Sequence, residues 1–131
     1  RDAYINKEDK KMPIIHVSVT GKQDMQKKRD FMEFAANSIC SHTSTLPKNI
    51  YVYFHEMEPE NVRKTAPTVL IDWTMIPDRT NEAKKAIMGE LTDELAKMTG
   101  ENRSEIVIIF NDIPLPNAML GGITRADNYN W

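Results

Sequence analysis

The chemically unusual residue in this chain is Pro13, which follows Met12 and opens the run Ile14-Ile15-His16-Val17-Ser18-Val19-Thr20-Gly21-Lys22. If the chain starts at Met12, removing that methionine leaves Pro13 as a free secondary amine, a base or nucleophile that no internal residue can supply. Ile15, Val17 and Val19 alternate with His16 and Ser18, the period-two pattern of a half-buried strand. Pro13 takes the first position of that strand, where its missing N–H costs least. The amine would therefore stand at a strand tip. Other reactive residue types are sparse. The one cysteine, Cys40, falls inside a helical pattern and reads as a small buried apolar residue. His16, His42 and His55 lack metal-ligand spacing and none pairs with Cys40 in a local motif. His16 and His55 read as strand residues, His42 as part of a helix-end loop.

The elements that must position Pro13 follow from composition and pattern. With 131 residues, 40% hydrophobic and 27% charged, the chain is expected to form one soluble domain with a core of its own. A net charge of -2, from 17 basic and 19 acidic residues, favours neither nucleic acid nor an anionic membrane. No apolar run reaches membrane-spanning length, and the amino end lacks a signal-peptide core. A single cysteine suits a reducing compartment, so a cytoplasmic location is expected. Residues 1–12 are expected to be a disordered leader or tag outside the fold, because residues 1–11 are polar and without periodicity. Lys7-Glu8-Asp9 can be encoded by a purine-rich ribosome-binding sequence with Lys10 and Lys11 as spacer, which makes Met12 the expected biological start.

Beyond the Gly21-Lys22 turn, Asp24 is placed to cap a helix over roughly residues 25 to 42 whose inner face is Phe31, Ala35 and Ile39. A strand rich in β-branched and aromatic residues follows from Ile50 to Met57. The pattern then repeats. Pro67 opens a strand between Ala66 and Met75, and Thr80 or Asn81 caps a helix with inner face Ala83, Ile87, Leu91, Leu95 and Met98. Gly100 stops that helix, and a last strand spans Ile106 to Ile113. An offset of 56 aligns Phe31 with Ile87, Ile39 with Leu95, Phe54 with Phe110 and Glu56 with Asp112. Pro13 and Pro67 are 54 apart, so the second copy carries two extra residues in its first turn. The expected fold class is α/β: two tandem β-α-β repeats forming a four-stranded mixed sheet with two helices on one face. Residues 13–131 would form one domain, with repeats at 13–57 and 67–123 and a tail at 124–131. Val, Ile and Tyr occupy both sides of Ile50–Phe54 and Ile106–Phe110, so the second sheet face calls for cover by self-association.

Met12-Pro13-Ile14-Ile15-His16-Val17 with its Gly-Lys turn resembles the start of the 4-oxalocrotonate tautomerases. Phe110-Asn111-Asp112-Ile113 through Asn117-Ala118-Met119-Leu120-Gly121-Gly122-Ile123 resembles their second strand and C-terminal Gly-Gly turn. The duplication is similar to that of the fused tautomerases, which implies a homotrimer. The resemblance further implies a cofactor-free keto–enol tautomerase acting on a small-molecule carboxylate, with Pro13 as general base. An ammonium in an apolar site near other cations loses solvation and suffers repulsion, which poises such an amine as a base near neutral pH. The family arginine that binds carboxylate is matched by Lys22 in copy one and Arg79 in copy two. The second family arginine is replaced by Tyr51 and Val107, a departure that bears on dicarboxylate specificity. Ala118 stands where the family has an aromatic, and neighbouring Asn117 is a candidate orienter of a carbonyl. Asp112 matches the water-activating carboxylate of the fused dehalogenase branch, although Glu56 at the same place in copy one favours a structural role for both. No metal is implied. Two alternatives stay open: a dehalogenase, hydratase or decarboxylase of the same architecture, and a non-catalytic trimer in which Pro13 is an ordinary amide. Pro67 is bonded to Ala66 and cannot be an amine, so each chain has at most one such site.

Overall fold

Alternation decides the central strand. In the computed structural model, which describes residues 12–74 and 80–127, Ile14–Thr20 forms β1 with Ile15, Val17 and Val19 buried and the residues between them half-exposed. β1 pairs in parallel with β2 (Tyr51–Met57) and antiparallel with β3 (Thr68–Thr74), and β3 pairs in parallel with β4 (Val107–Ile113). The sheet is four-stranded and mixed, in the order β2-β1-β3-β4.

The duplication is visible in the register. Ile14 faces Tyr51 in the first repeat and Thr68 faces Val107 in the second, each one residue beyond a proline. Tyr51 N–H donates to the Pro13 carbonyl at 3.1 Å, and Val107 N–H donates to the Pro67 carbonyl at 3.1 Å. The strands expected to begin at Ile50 and Ile106 begin one residue later. The reason is local: the N–H groups of Ile50 and Ile106 close 3-10 turns onto the carbonyls of Pro47 and Arg103.

Both helices pack on one face. α1 (Met25–His42) starts where Asp24 accepts a hydrogen bond from Lys27 N–H at 3.1 Å, satisfying one of the free donors of the first turn. α2 (Asn81–Thr99) starts from Thr80, whose hydroxyl accepts from Ala83 N–H at 3.0 Å, so Thr80 and not Asn81 is the cap. Gly100, at φ 78, ends α2 in the left-handed region. Phe31, Ala35 and Ile39 from α1 meet Ile87, Leu91 and Leu95 from α2 over Ile15, Val17, Val69, Ile71 and Trp73. Burial of each of these large apolar side chains contributes roughly 1.5–3 kcal/mol. Ala83 and Met98, expected on the inner face of α2, are only half-buried, because they sit toward its two ends.

The other sheet face is open in the single chain. Tyr51, Tyr53, Met57, Val107 and Ile109 there are 40–50% exposed. His16 and His55 stand side by side on it, with Nδ1 and Nε2 3.0 Å apart. After β4, the two-residue strands β5 (Met119–Leu120) and β6 (Ile123–Thr124) form a hairpin. Its Gly121 and Gly122 have φ 60 and 82, the paired positive φ that a two-residue type I′ turn requires.

Candidate active site

Pro13 is buried on the helix-covered face, as its parity with Ile15 requires. The β1–β3 register places Ile14 opposite Asp72, so one step further Pro13 lies opposite Trp73. Trp73 is in turn paired with Asp112 of β4. Pro13, Trp73 and Asp112 therefore form a row across three strands at one end of the sheet. With strands about 4.8 Å apart, the backbones of Pro13 and Asp112 are roughly 10 Å from each other. Trp73 is fully buried and stacks on Phe110 at 5.4 Å between ring centroids. Lys84, in the first turn of α2, lies over the Phe110 ring at 5.7 Å, with its Nζ 3.9 Å from Asp112 Oδ2.

The opposite end of the sheet is the pseudo-symmetric counterpart, with Pro67 in place of Pro13 and Glu56 in place of Asp112. Glu56 pairs with Val19 of β1. Its Oε2 accepts from Gln23 N–H at 2.6 Å and its Oε1 takes Lys28 Nζ at 3.1 Å. The Gln23 N–H first, and then Lys28, hold the Glu56 carboxyl below its ordinary pKa. Both oxygens of this carboxylate are engaged by its own repeat.

Lys22 belongs to that far end. It is exposed and follows Gly21, whose N–H donates to the Met57 carbonyl at 2.8 Å. The whole seven-residue length of β1 separates it from Pro13, about 25 Å or more at roughly 3.3 Å per residue. Within one chain, Lys22 and Pro13 cannot meet on one small substrate. The cause is topological: β3 runs antiparallel to β1, so it is the C-terminal end of β3 that lies at the Pro13 end. β3 ends at Thr74 and the described chain resumes at Thr80; Arg79 lies outside the described residues. Asn117 is exposed, its N–H donating to the Pro114 carbonyl at 2.8 Å in the 3-10 turn that follows β4. Sequence reading passed over Lys84. Its signal was present in the offset of 56 that pairs it with Lys28, as Asp112 is paired with Glu56.

The Pro13 end thus combines an aromatic wall, a carboxylate and a half-buried ammonium around the strand tip. Given a free proline amine, such an arrangement can move a proton on a small anionic molecule. Among the described residues, no group of three or more His, Cys, Asp and Glu side chains is placed to hold a metal ion, and no helix is long and apolar enough to cross a membrane.

Comparison with known proteins bears on this geometry. Residues 67–127 match the family model described as "Tautomerase enzyme". No curated protein matches the chain. Among solved structures, the chain is similar to a wild-type fused 4-OT symmetric trimer, at 21% identity and TM-score 0.75, covering 88% of this chain and 99% of that one. It is likewise similar to the protein Pt0534 inactivated by 2-oxo-3-pentynoate, at 22% identity and TM-score 0.73, covering 86% and 96%. Malonate semialdehyde decarboxylase matches at 9% identity and TM-score 0.66, covering 82% and 90%. The fold is that of the fused 4-OT structures over nearly their whole length, and the second repeat matches the tautomerase family model.

Proposed function

We propose that this protein is a cofactor-independent keto–enol tautomerase of small 2-oxo or 2-hydroxy-enoic acids, with the amine of Pro13 as general base in a chain that begins at that residue. The observation that carries the reading is the row Pro13–Trp73–Asp112 at the tip of the central strand, in a chain whose second repeat matches the tautomerase family model. A neutral secondary amine at the strand tip takes the enol proton, and its ring fixes the direction of approach. The same ammonium then returns a proton to carbon. Burial of Pro13 against Trp73 favours the neutral form.

Arg79 and Asn117 are the proposed substrate-binding partners from the same chain, one after β3 and one after β4. Lys22 can serve only a Pro13 of another subunit, which suits the proposed homotrimer. The open sheet face and the hairpin are the surfaces such an assembly would cover. Met119, Leu120 and Ile123 on the hairpin are 61%, 50% and 47% exposed.

A covalent probe tests the reading. In an alkynyl 2-oxo acid such as 2-oxo-3-pentynoate, the carbonyl activates the triple bond, so a neutral amine adds to the β-carbon and an enaminone adduct forms without a leaving group. The chain beginning at Pro13 is expected to gain one equivalent of probe, mapped by peptide mass spectrometry to Pro13, with loss of turnover in proportion. Labelling elsewhere, or none, contradicts it. A second reading is favoured by one observation, the presence of Asp112 in the Pro13 row: a hydratase or dehalogenase in which that carboxylate activates water. Turnover of a 3-halogenated acrylate, lost in Asp112→Asn, would favour that reading over tautomerisation.

A further inference from the structure

His16 and His55 take no part in the proposed reaction, yet they are bonded to each other on the open sheet face. Nδ1 of His16 and Nε2 of His55 are 3.0 Å apart, with ring planes 18° from parallel. A gap of that size holds one proton, donated by one imidazole and accepted by the other. The surroundings are apolar. Tyr53 stacks on His16 at 5.3 Å between ring centroids, Leu70 lies opposite His16 on β3, and Val107 and Ile109 continue the same rows on β4. Among the described strands, few titratable or charged groups share this face. β1 adds none beside Ile14, Ser18 and Thr20, and β2 adds the phenols of Tyr51 and Tyr53. β3 adds Asp72, one diagonal step from His16 and bonded to Asn111 Nδ2 at 3.0 Å, while β4 presents Val107, Ile109 and Asn111. Asn111 stands 56 residues after His55, so each repeat sets one polar bond into an apolar surround, a duplicated pattern that suits an equally duplicated partner.

We propose that the His16–His55 pair is a proton-sensitive latch on the interface between copies of this chain, closed while the two rings share a proton and opened when both are charged; the inference rests on the homotrimer of the reading above. A first added proton goes to the outer nitrogen of the donor ring, which keeps the bond and makes it charge-assisted. Asp72 can balance that one charge. A second proton puts N–H groups on both facing nitrogens, so the bond is lost and two cations oppose each other. In the single chain His16 is half-buried and His55 exposed, and water solvates both charges. Under a second copy that solvation is withdrawn. The separated chains therefore bind more protons than the assembly, and association weakens as pH falls. Because Lys22 can serve only the Pro13 of a neighbour, opening the latch also takes Lys22 from the proposed site.

Sedimentation velocity of the full chain between pH 8 and pH 5 tests this, with circular dichroism at each pH to show that the chain stays folded. The parent is expected to be assembled at pH 8 and to lose at least 10-fold in association constant per pH unit below pH 7, the slope of one linked proton. The double variant His16→Gln, His55→Gln should stay assembled at pH 5, because paired amides bond without titrating. His55→Gln alone should also hold, since a single imidazolium then faces an amide oxygen. His42→Gln, on the helix side of the sheet, should dissociate as the parent does. A parent that remains assembled at pH 5, or His55 variants that dissociate with the parent's slope, overturns the latch and leaves the trimer standing. A parent that is monomeric at pH 8 rejects the trimer and the latch with it.

Discussion

Pro13 and Pro67 hold the same place in their repeats, each accepting one ladder hydrogen bond at its carbonyl, yet they differ in what their nitrogen can be. In the proposed chain that begins at Pro13, only that proline is an amine, and Pro13→Ala puts there a primary amine of different basicity and free rotation. We expect a drop in kcat of about 100-fold or more, read from the decay of enol absorbance. Trp73 separates the proline from Lys84 and is fully buried, so Trp73→Ala should cost about 3–5 kcal/mol in chemical denaturation. At this scale the sequence was readable in the duplication, which puts Glu56 and Asp112 at equivalent places in their repeats. Lys84 escaped because a lysine early in a helix looks like a solvated cation. Only the fold shows that its ammonium turns back over Phe110.

The helices and strands were legible because their signals are local. Asp24 and Thr80 cap where sequence placed a cap, and Gly100 stops α2 in the conformation that favours glycine. Asp24→Ala should lower stability by about 1 kcal/mol, measured by denaturant titration. What joins the helices was not legible. Glu90 of α2 accepts from Ser38 Oγ and pairs with His42 Nε2, both at 2.7 Å, across 52 and 48 residues of sequence. Ser38 first, and then His42, hold the Glu90 carboxyl below its ordinary pKa. A depressed carboxylate stabilises the fold above its unfolded pKa and loses that contribution as pH falls through the folded value. Wild type should therefore lose thermal midpoint on acidification from about pH 5 toward pH 3 more steeply than Glu90→Gln, because a neutral amide does not titrate.

Over the whole molecule, the repeat and its period foretold the four-stranded sheet with helices on one face. The direction of β3 relative to β1 was not encoded in any local pattern, and that direction alone decides which end of β3 lies beside Pro13. Lys22 was therefore matched by alignment to an end of the sheet it does not share with Pro13. The open face tells a similar story: alternating apolar residues show that it needs cover without showing by what. If the proposed trimer covers it, charge placed at Ile109 should break the assembly. Ile109→Asp is expected to elute as a monomer in light-scattering chromatography where the parent elutes as a trimer.

The central claim is that the free amine of Pro13 is the base. Its most direct test is the rate of enol-to-keto conversion of phenylenolpyruvate and 2-hydroxymuconate by two preparations, one beginning at Pro13 and the other retaining residues 1–12. The account predicts turnover by the first alone, since an amide nitrogen at Pro13 cannot take a proton. Equal rates in the two preparations would contradict it, whether both are active or both inert.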